Sequence, residues 1–204
     1  MLITEILNRG DKYLIDKISS LEIPRDKSAV ISNTLGKSKN IDSISQILQN
    51  RYKLTDSNIW LTFFGTDYEY ANRILYLAER SFDMDKNAWT NYMDTFNDIV
   101  VRKFITVIKS KTPDIKCPSI TDKNNTKLDI GTILDKQHKL WEIYPKLHEG
   151  LFELHERRRT TLVSHAYEKK TGKRASIVTT NDRSRLYGLL KVSYMELLQI
   201  LTTP

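Results

Sequence analysis

Apolar side chains recur at helical spacing along most of this chain, and that pattern constrains the fold more than any other feature. The clearest stripe runs from about residue 86 to 109 and comprises Trp89, Tyr92, Phe96, Ile99, Val100, Phe104, Val107 and Ile108. Residues three, four and seven apart share one face of an α-helix, so the segment predicts an amphipathic helix with aromatic residues in the core. We expect its polar face to carry Asn91, Asp94, Asp98 and Arg102.

Weaker stripes predict further helices over residues 2–20, 24–35, 41–48 and 67–80, and a last one that ends near Leu201. Thr180, Asn181 or Asp182 is the expected cap of this last helix, because short polar side chains satisfy free backbone N–H groups. The chain has only 7 Gly and 5 Pro in 204 residues. A turn-rich β architecture is therefore disfavoured, and the sequence predicts an all-α helical bundle.

Two segments interrupt the predicted bundle. Residues 110–130 lack any period and contain two prolines, so we expect a long loop that is mobile or functional. A long helical segment should follow over about 131–167, with Pro145 kinking it or dividing it into two helices. A basic turn is then expected at about 169–180. The chain reads as one helical domain over 1–204, with a possible subdivision into 1–109 and 131–204.

The positive charge of the chain is concentrated near its C-terminal end. The formal net charge is +7, and the segment 157–174 holds seven basic residues and one acidic residue, a net charge of +6. A focused basic segment favours a polyanion such as nucleic acid as a partner. The alternative is an ordinary solvated helix end. The single cysteine, Cys117, excludes an intrachain disulfide framework and suits a reducing compartment.

All four histidines lie between residues 138 and 165, next to this basic segment. On a continuous helix, seven residues make nearly two turns, so Arg158 and His165 would share a face, with His155 on the same side. Histidine transfers protons near neutral pH, and a guanidinium stabilises negative charge on a phosphate. RNA supplies its own 2′-hydroxyl nucleophile, so this combination points to RNA cleavage without a metal. Alternatively, the Arg and His residues pair with Glu153 or Glu156 on a surface helix.

The segment from residue 150 to 190 resembles the HEPN family of small helical ribonucleases, whose mark is an Arg, four to six residues and then a His. Arg159 and Arg158 precede His165 with five and six intervening residues, and a turn at Gly172 follows. Two positions depart from the usual pattern. Thr160 stands where a polar amide is common, and Ser164 stands where members paired with a nucleotidyltransferase antitoxin often have Tyr. The resemblance therefore does not imply that particular partner.

The resemblance implies a metal-independent endoribonuclease that acts as a toxin or effector in a prokaryotic defence or toxin–antitoxin system. It implies no cofactor and no metal. In this interpretation His165 transfers the proton, and Arg158 or Arg159 stabilises the transition state. The residues expected to hold the RNA backbone are Arg157, Lys169, Lys170, Lys173 and Arg174.

The implied partners are RNA, with tRNA among the candidates, a second copy of the chain in a homodimer, and an antitoxin or defence-complex subunit. The apolar runs are only a few residues long and the first residues do not resemble a signal peptide, so we expect a cytoplasmic protein without a membrane span.

Other functions fit the residues less well. A helix-borne metal site would use His148, Glu149, His155 and Glu156, and a metal-dependent nuclease would use Asp114, Glu168 and Lys170. Neither set has the tight ligand spacing that metal sites prefer. The main alternative is a non-catalytic basic helical protein that binds nucleic acid or another subunit of a complex through Arg158, Arg159 and His165.

Overall fold

The fold is all-α, as predicted, in the part of the chain that the computed structural model describes: residues 43–52, 57–161 and 176–203. The described helices are α1 (Ser43–Asn50), α2 (Ser57–Phe64), α3 (Tyr68–Ser81), α4 (Lys86–Lys111), α5 (Ile130–Ile133), α6 (Lys139–Ile143), α7 (Pro145–Arg159) and α8 (Thr180–Thr202), and a short 3-10 turn spans Gly65–Asp67. The helices predicted at 2–20 and 24–35 lie outside the described residues. Among the helices within those ranges, none combines the length and apolarity needed to cross a bilayer.

Helix α4 is the centre of the bundle. Five residues of its predicted apolar stripe are buried, and Tyr92, Ile99 and Val107 are partly buried against the core. Both α3 and α7 pack against α4, and α8 packs mainly against α7. The Asp85 carboxylate caps the start of α4 by accepting hydrogen bonds from the backbone N–H groups of Asn87 and Ala88. The predicted polar face is only partly correct, because Asp94 is buried with 6% of its surface exposed.

The predicted long loop is confirmed between α4 and α5, and one arginine of α4 fastens it. The Arg102 guanidinium donates hydrogen bonds to the carbonyl oxygens of Ile120 at 2.9 Å and Leu128 at 2.6 Å. Asp129 then caps α5 by accepting a hydrogen bond from the N–H of Gly131. The loop thereby holds the Asp129–Gly131 turn in a fixed place at the edge of the bundle.

A long helical segment was predicted over about 131–167, and the prediction is wrong between α5 and α6, where the chain is not helical. A turn separates α5 from α6, because the Asp135 carboxylate accepts a hydrogen bond from the backbone N–H of Gln137. The chain folds back there, and the Trp141 indole donates to the carbonyl of Ile133. Pro145 does separate two helices, as expected, and it stands at the first position of α7.

Helix α7 also ends earlier than predicted. Its last residue is Arg159, and the hydroxyls of Thr160 and Thr161 each donate to a backbone carbonyl three residues earlier. Arg158 and His165 therefore do not share a face of one continuous helix. His165 lies in the segment 162–175, outside the described residues, as does most of the predicted basic turn.

Helix α8 begins as predicted, but its cap is one residue earlier than expected. The Thr179 hydroxyl accepts from the N–H of Asp182, and the Asp182 carboxylate accepts from the N–H of Thr179. This reciprocal pair is a capping box, in which Asp182 occupies the third helical position. Residues 176–179 before it are extended, and Ser176 forms an isolated bridge with Thr161.

Buried His148 should make the stability of the fold depend on pH. It lies between the rings of Trp141 and Phe152, and its Nε2 lies 2.8 Å from the carbonyl oxygen of Leu134. Burial lowers its pKa below the usual value. Below a pH of about 6.5 the unfolded chain therefore binds a proton that the folded chain resists, so acidification destabilises the fold.

We expect the free energy of unfolding to fall between pH 7.5 and pH 5.5, with His148 contributing at most about 1.4 kcal/mol per pH unit. Urea unfolding of the wild type and His148→Gln across this range measures that contribution. The variant should show the shallower dependence. Equal slopes in the two proteins would contradict the role given to His148.

Candidate functional site

A polar pocket of about 430 Å³ opens where the last turn of α7 meets the Asp129–Gly131 turn. Its lining residues are Asp129, Gly131, Thr132, Asp135, His155, Arg158 and Arg159. Three of the seven belong to the Arg/His segment that the sequence singled out. The other four come from the loop, from α5 and from the turn after α5, which no motif had indicated. The pocket is therefore built from two parts of the chain that are at least twenty residues apart.

An aspartate and a histidine form a buried pair beside this pocket. His155 has 1% of its surface exposed, and its Nδ1 lies 3.0 Å from Oδ1 and 3.3 Å from Oδ2 of Asp94. The partner comes from α4, 61 residues earlier in the chain. Because both groups are almost fully buried, the pair restricts rotation of the imidazole more strongly than an exposed contact would.

The pairing determines which ring nitrogen of His155 carries the proton. A carboxylate oxygen only accepts hydrogen bonds, so Nδ1 is the donor toward Asp94. In neutral imidazole the other nitrogen, Nε2, is then a bare acceptor. Within the described residues Nε2 has no hydrogen-bond partner, and the nearest carboxylate oxygen, Oδ1 of Asp129, is 3.9 Å away. Such an unmatched buried acceptor is uncommon in a folded protein.

Gly131 permits the turn to lie directly against this imidazole. A Cβ at position 131 would stand 2.9 Å from Nε2 of His155 and 2.9 Å from Oδ1 of Asp129. Both distances are shorter than ordinary van der Waals contacts, so a side chain at this position would displace one of the two groups. The backbone of the turn therefore packs directly over Nε2, which a side chain at position 131 would prevent.

The two arginines at the end of α7 differ in how they are held. Nε of Arg158 lies 3.6 Å from Oδ2 of Asp94, so the carboxylate that holds His155 also faces this guanidinium. Arg159 donates instead to the Glu156 carboxylate at 2.6 Å. This pairing was predicted by the alternative interpretation of the segment as a surface helix with paired charges. His155 and Arg158, which the three-residue spacing placed on one side of the helix, both face Asp94.

Arg157 has a structural role. Its guanidinium donates to the hydroxyls of Thr160 and Ser176, to the carbonyl of Ile177 and to the carboxylate of Asp182. Only 13% of its side chain is exposed. Burial opposes ionisation of Asp182, but hydrogen bonds from Thr179 and the Arg157 charge outweigh it and hold the pKa of this carboxyl below its usual value. The predicted contact of Arg157 with RNA stays a prediction.

Replacing Arg157 with alanine is expected to lower the free energy of unfolding by about 1–3 kcal/mol, because four acceptors lose a charged donor whose own side chain is largely buried. Arg185→Ala is the matched control. Arg185 forms one ion pair with Glu153 and half of its side chain is exposed, so its loss should matter little. Urea unfolding measures both. Equal effects of the two substitutions would show that the Arg157 network adds no stability.

Comparison with protein-family models, curated proteins and solved structures finds no match to this chain.

The remaining predicted site residues lie outside the described residues. They are His165, Lys169, Lys170, Lys173 and Arg174. The other two histidines, His138 and His148, lie with a ring nitrogen near the carbonyl oxygens of Thr132 and Leu134.

Neither metal alternative gains support in the ranges that are described. There, no group of three or more His, Cys, Asp or Glu side chains has the arrangement of a metal site. His148 faces a backbone carbonyl and His155 faces Asp94, so the two histidines do not share a ligand position. The second alternative requires Glu168 and Lys170, which lie outside the described residues.

Sequence reasoning missed Asp94, Asp129 and Gly131. Asp94 had been placed on the polar face of α4, yet α4 is covered on more than one side and also buries Thr90 and Asn97. A polar residue every three or four positions inside a long apolar helix was the available signal. Nothing in the spacing connects Asp94 to His155, because their contact joins distant parts of the chain.

Proposed function

We propose that this protein is a metal-independent endoribonuclease of the HEPN type. The observation that carries the proposal is the convergence of Arg158 and His155 on the buried Asp94 carboxylate, at a pocket that Arg159 also lines. Fixed guanidinium groups stabilise the charge that builds on a phosphate during transesterification. A histidine that transfers a proton lets the reaction proceed without a metal.

Arg158 is the better candidate for the transition-state contact. Its Nε is directed toward Asp94, which leaves the two terminal nitrogens of the guanidinium for a phosphate. Arg159 is engaged by Glu156 and takes a supporting role at the pocket. His165 remains the residue that the family resemblance assigns to proton transfer. Lys169, Lys170, Lys173 and Arg174 remain the proposed contacts to the RNA backbone.

The charge of the pocket favours catalysis over simple binding. Two arginines line it, but so do the carboxylates of Asp129 and Asp135. A surface that only holds RNA would gain affinity from an excess of positive charge, which this lining lacks. Activity as a prokaryotic toxin or defence effector, a homodimeric state and restraint by a partner protein complete the proposal, and they come from the family resemblance.

Incubation of the purified protein with total tRNA and a mixed RNA pool in EDTA tests the function. We expect the wild type to produce fragments with 2′,3′-cyclic phosphate and 5′-hydroxyl ends, and His165→Ala to produce far fewer. A wild type that binds RNA and cuts none would favour the non-catalytic binding protein. In that case neutralising Lys169, Lys170, Lys173 and Arg174 should weaken binding stepwise and reduce its salt dependence.

A further inference from the structure

We infer that Phe152 is a stacking platform for an unpaired RNA base and that Lys136 binds the phosphate beside that base. The inference rests on the proposed function and names its substrate class, which is single-stranded RNA. The evidence is a partly buried aromatic ring on the helix that carries the pocket arginines, with an exposed lysine whose ammonium lies over the ring.

Phe152 lies at the outer end of a row of stacked rings that begins in the core. Trp141 packs against His148 with ring centroids 5.3 Å apart, and His148 stacks on Phe152 at 5.3 Å with the planes inclined by 24°. His148 is 7% exposed, whereas Phe152 keeps part of its surface accessible. The row holds the orientation of the outer ring, so a base that stacks there meets a surface that is already ordered.

Lys136 covers the Phe152 ring with a side chain that can move. Its ammonium lies 5.1 Å from the ring centroid, which is a cation–π contact, and the residue is exposed. A cation–π contact at an exposed site is weaker than the stacking of a base on an aromatic ring, so a base displaces the ammonium. The displaced charge then stands beside the backbone of that nucleotide, where it attracts the phosphate.

Both residues adjoin the pocket that contains the arginines. Asp135, which lines the pocket, is the neighbour of Lys136 in the chain. Phe152 and Arg159 are nearly two turns apart on α7, so they share one face of the helix at a distance of about 10 Å along its axis. A short length of extended RNA spans that distance. A strand whose phosphate faces the arginines therefore places a nearby base on the Phe152 ring.

A stacking platform selects RNA that is not base-paired. In a duplex the faces of the bases are covered by their neighbours, and only an unpaired base turns freely onto a protein ring. Every base has a π face, so the platform tolerates different sequences. A Phe152 that only shields His148 from water would leave RNA binding unaffected, so a binding measurement separates the two roles.

The test measures binding to a strand that the proposed reaction does not cut. The probe is a short 2′-O-methyl RNA with 2-aminopurine at alternate positions, because the fluorescence of this base changes when it stacks on a ring. We expect Phe152→Leu to raise Kd by about 5–150-fold and to lose the fluorescence change, and Phe152→Tyr to keep both. Annealing the strand to its complement should abolish the change.

Tyr70→Leu is the matched control for the aromatic substitution. Tyr70 is 56% exposed and lies on α3, a helix that does not line the pocket. This variant should bind the probe with the affinity and the fluorescence change of the wild type.

Lys136→Gln is the second variant, in case Phe152→Leu fails to fold, since an exposed side chain is replaced without a change in the core. We expect weaker binding and a dependence of log Kd on log salt that is smaller by about 0.7, the contribution of one phosphate contact to a single strand. Lys109→Gln is its control. Lys109 is exposed in the last turn of α4, about 22 Å along that helix from Asp94, and its loss should change neither quantity.

Unchanged affinity and fluorescence in folded Phe152→Leu, or an unchanged salt dependence in Lys136→Gln, would overturn the inference. Cleavage of ordinary RNA by the wild type in EDTA is measured separately. A wild type that cuts RNA, while Phe152→Leu binds the probe normally, would leave the proposed function intact and exclude the platform. A wild type that binds with the expected fluorescence change and cuts nothing would overturn the ribonuclease proposal and support the binding site.

Discussion

Replacement of Arg158 by alanine is expected to slow RNA cleavage by about 10²–10³-fold, mainly through kcat. The guanidinium is the charged group at the pocket that shares Asp94 with His155, so its removal takes away a fixed charge opposite the reacting phosphate. Arg158→Lys should recover only part of the rate, because a lysine keeps the charge but loses the planar fork that binds two phosphate oxygens.

Two matched variants separate this effect from a general loss of positive charge. Arg159→Ala should have the smaller effect of the two pocket arginines, since Glu156 already engages its guanidinium. Arg185→Ala, on α8 and paired with Glu153, should cleave as the wild type does. Initial rates on a labelled RNA, with unfolding curves for each variant, provide the measurement. Equal rates for Arg158→Ala and Arg185→Ala would exclude Arg158 from the site.

Gly150→Ala is expected to lower the free energy of unfolding by about 1–3 kcal/mol, despite the higher helix propensity of alanine. Gly150 lies where α7 packs closely against α8. A Cβ there would stand 2.3 Å from the hydroxyl oxygen of Ser193 and 2.9 Å from the backbone carbonyl atoms of Leu189. The serine can rotate, but the backbone of α8 can only move away as a whole. That movement would loosen the packing of α7, the helix that carries Arg158 and Arg159.

Gly188→Ala is the control, on the other helix of the same pair. No atom lies within 4 Å of a Cβ at that position, so this substitution should stabilise the protein by about 0.5–1 kcal/mol. The double variant Gly150→Ala, Ser193→Ala should recover only part of the loss, since the backbone contact remains. Urea unfolding measures all three variants, with the same dependence of the unfolding free energy on urea concentration in each. A stabilising effect of Gly150→Ala would contradict the close packing of α7 on α8.

Apolar periodicity predicted the helices whose buried faces are continuous apolar stripes. Helix α4 was predicted over about 86–109 because its apolar residues repeat over nearly six turns, and the prediction is confirmed. The last helix and the division at Pro145 were also predicted, since capping residues and proline act on their immediate neighbours. Each of these features depends on residues a few positions apart.

The features that were mispredicted depend on side chains that bond to the backbone. The apolar spacing from Leu134 to Leu147 fits a helix, yet Asp135 turns the chain between α5 and α6. Thr160 and Thr161 likewise follow the end of α7 through hydroxyl bonds to backbone carbonyls. Periodicity alone does not reveal such ends, because it records which face is apolar and not where a polar side chain competes with the helix.

The sequence indicated only some of the residues of the candidate site. Arg158, Arg159 and His155 stand in one segment, and their types and spacing drew attention to it. The sequence did not indicate the roles of Asp94 and Gly131 at the site, because an aspartate on a helix and a glycine in a loop have many ordinary explanations. Their roles appear only when α4, α5 and α7 meet, and no short-range pattern encodes that meeting.

The most direct test of the central claim compares one RNA strand with its fully 2′-deoxy counterpart in EDTA. We expect the wild type to cut the RNA, to leave 2′,3′-cyclic phosphate ends and not to cut the deoxy strand, which lacks the 2′-hydroxyl nucleophile. Equal cleavage of both strands would show that the reaction does not use the 2′-hydroxyl. An RNA strand that stays intact while the protein is folded would contradict ribonuclease activity itself.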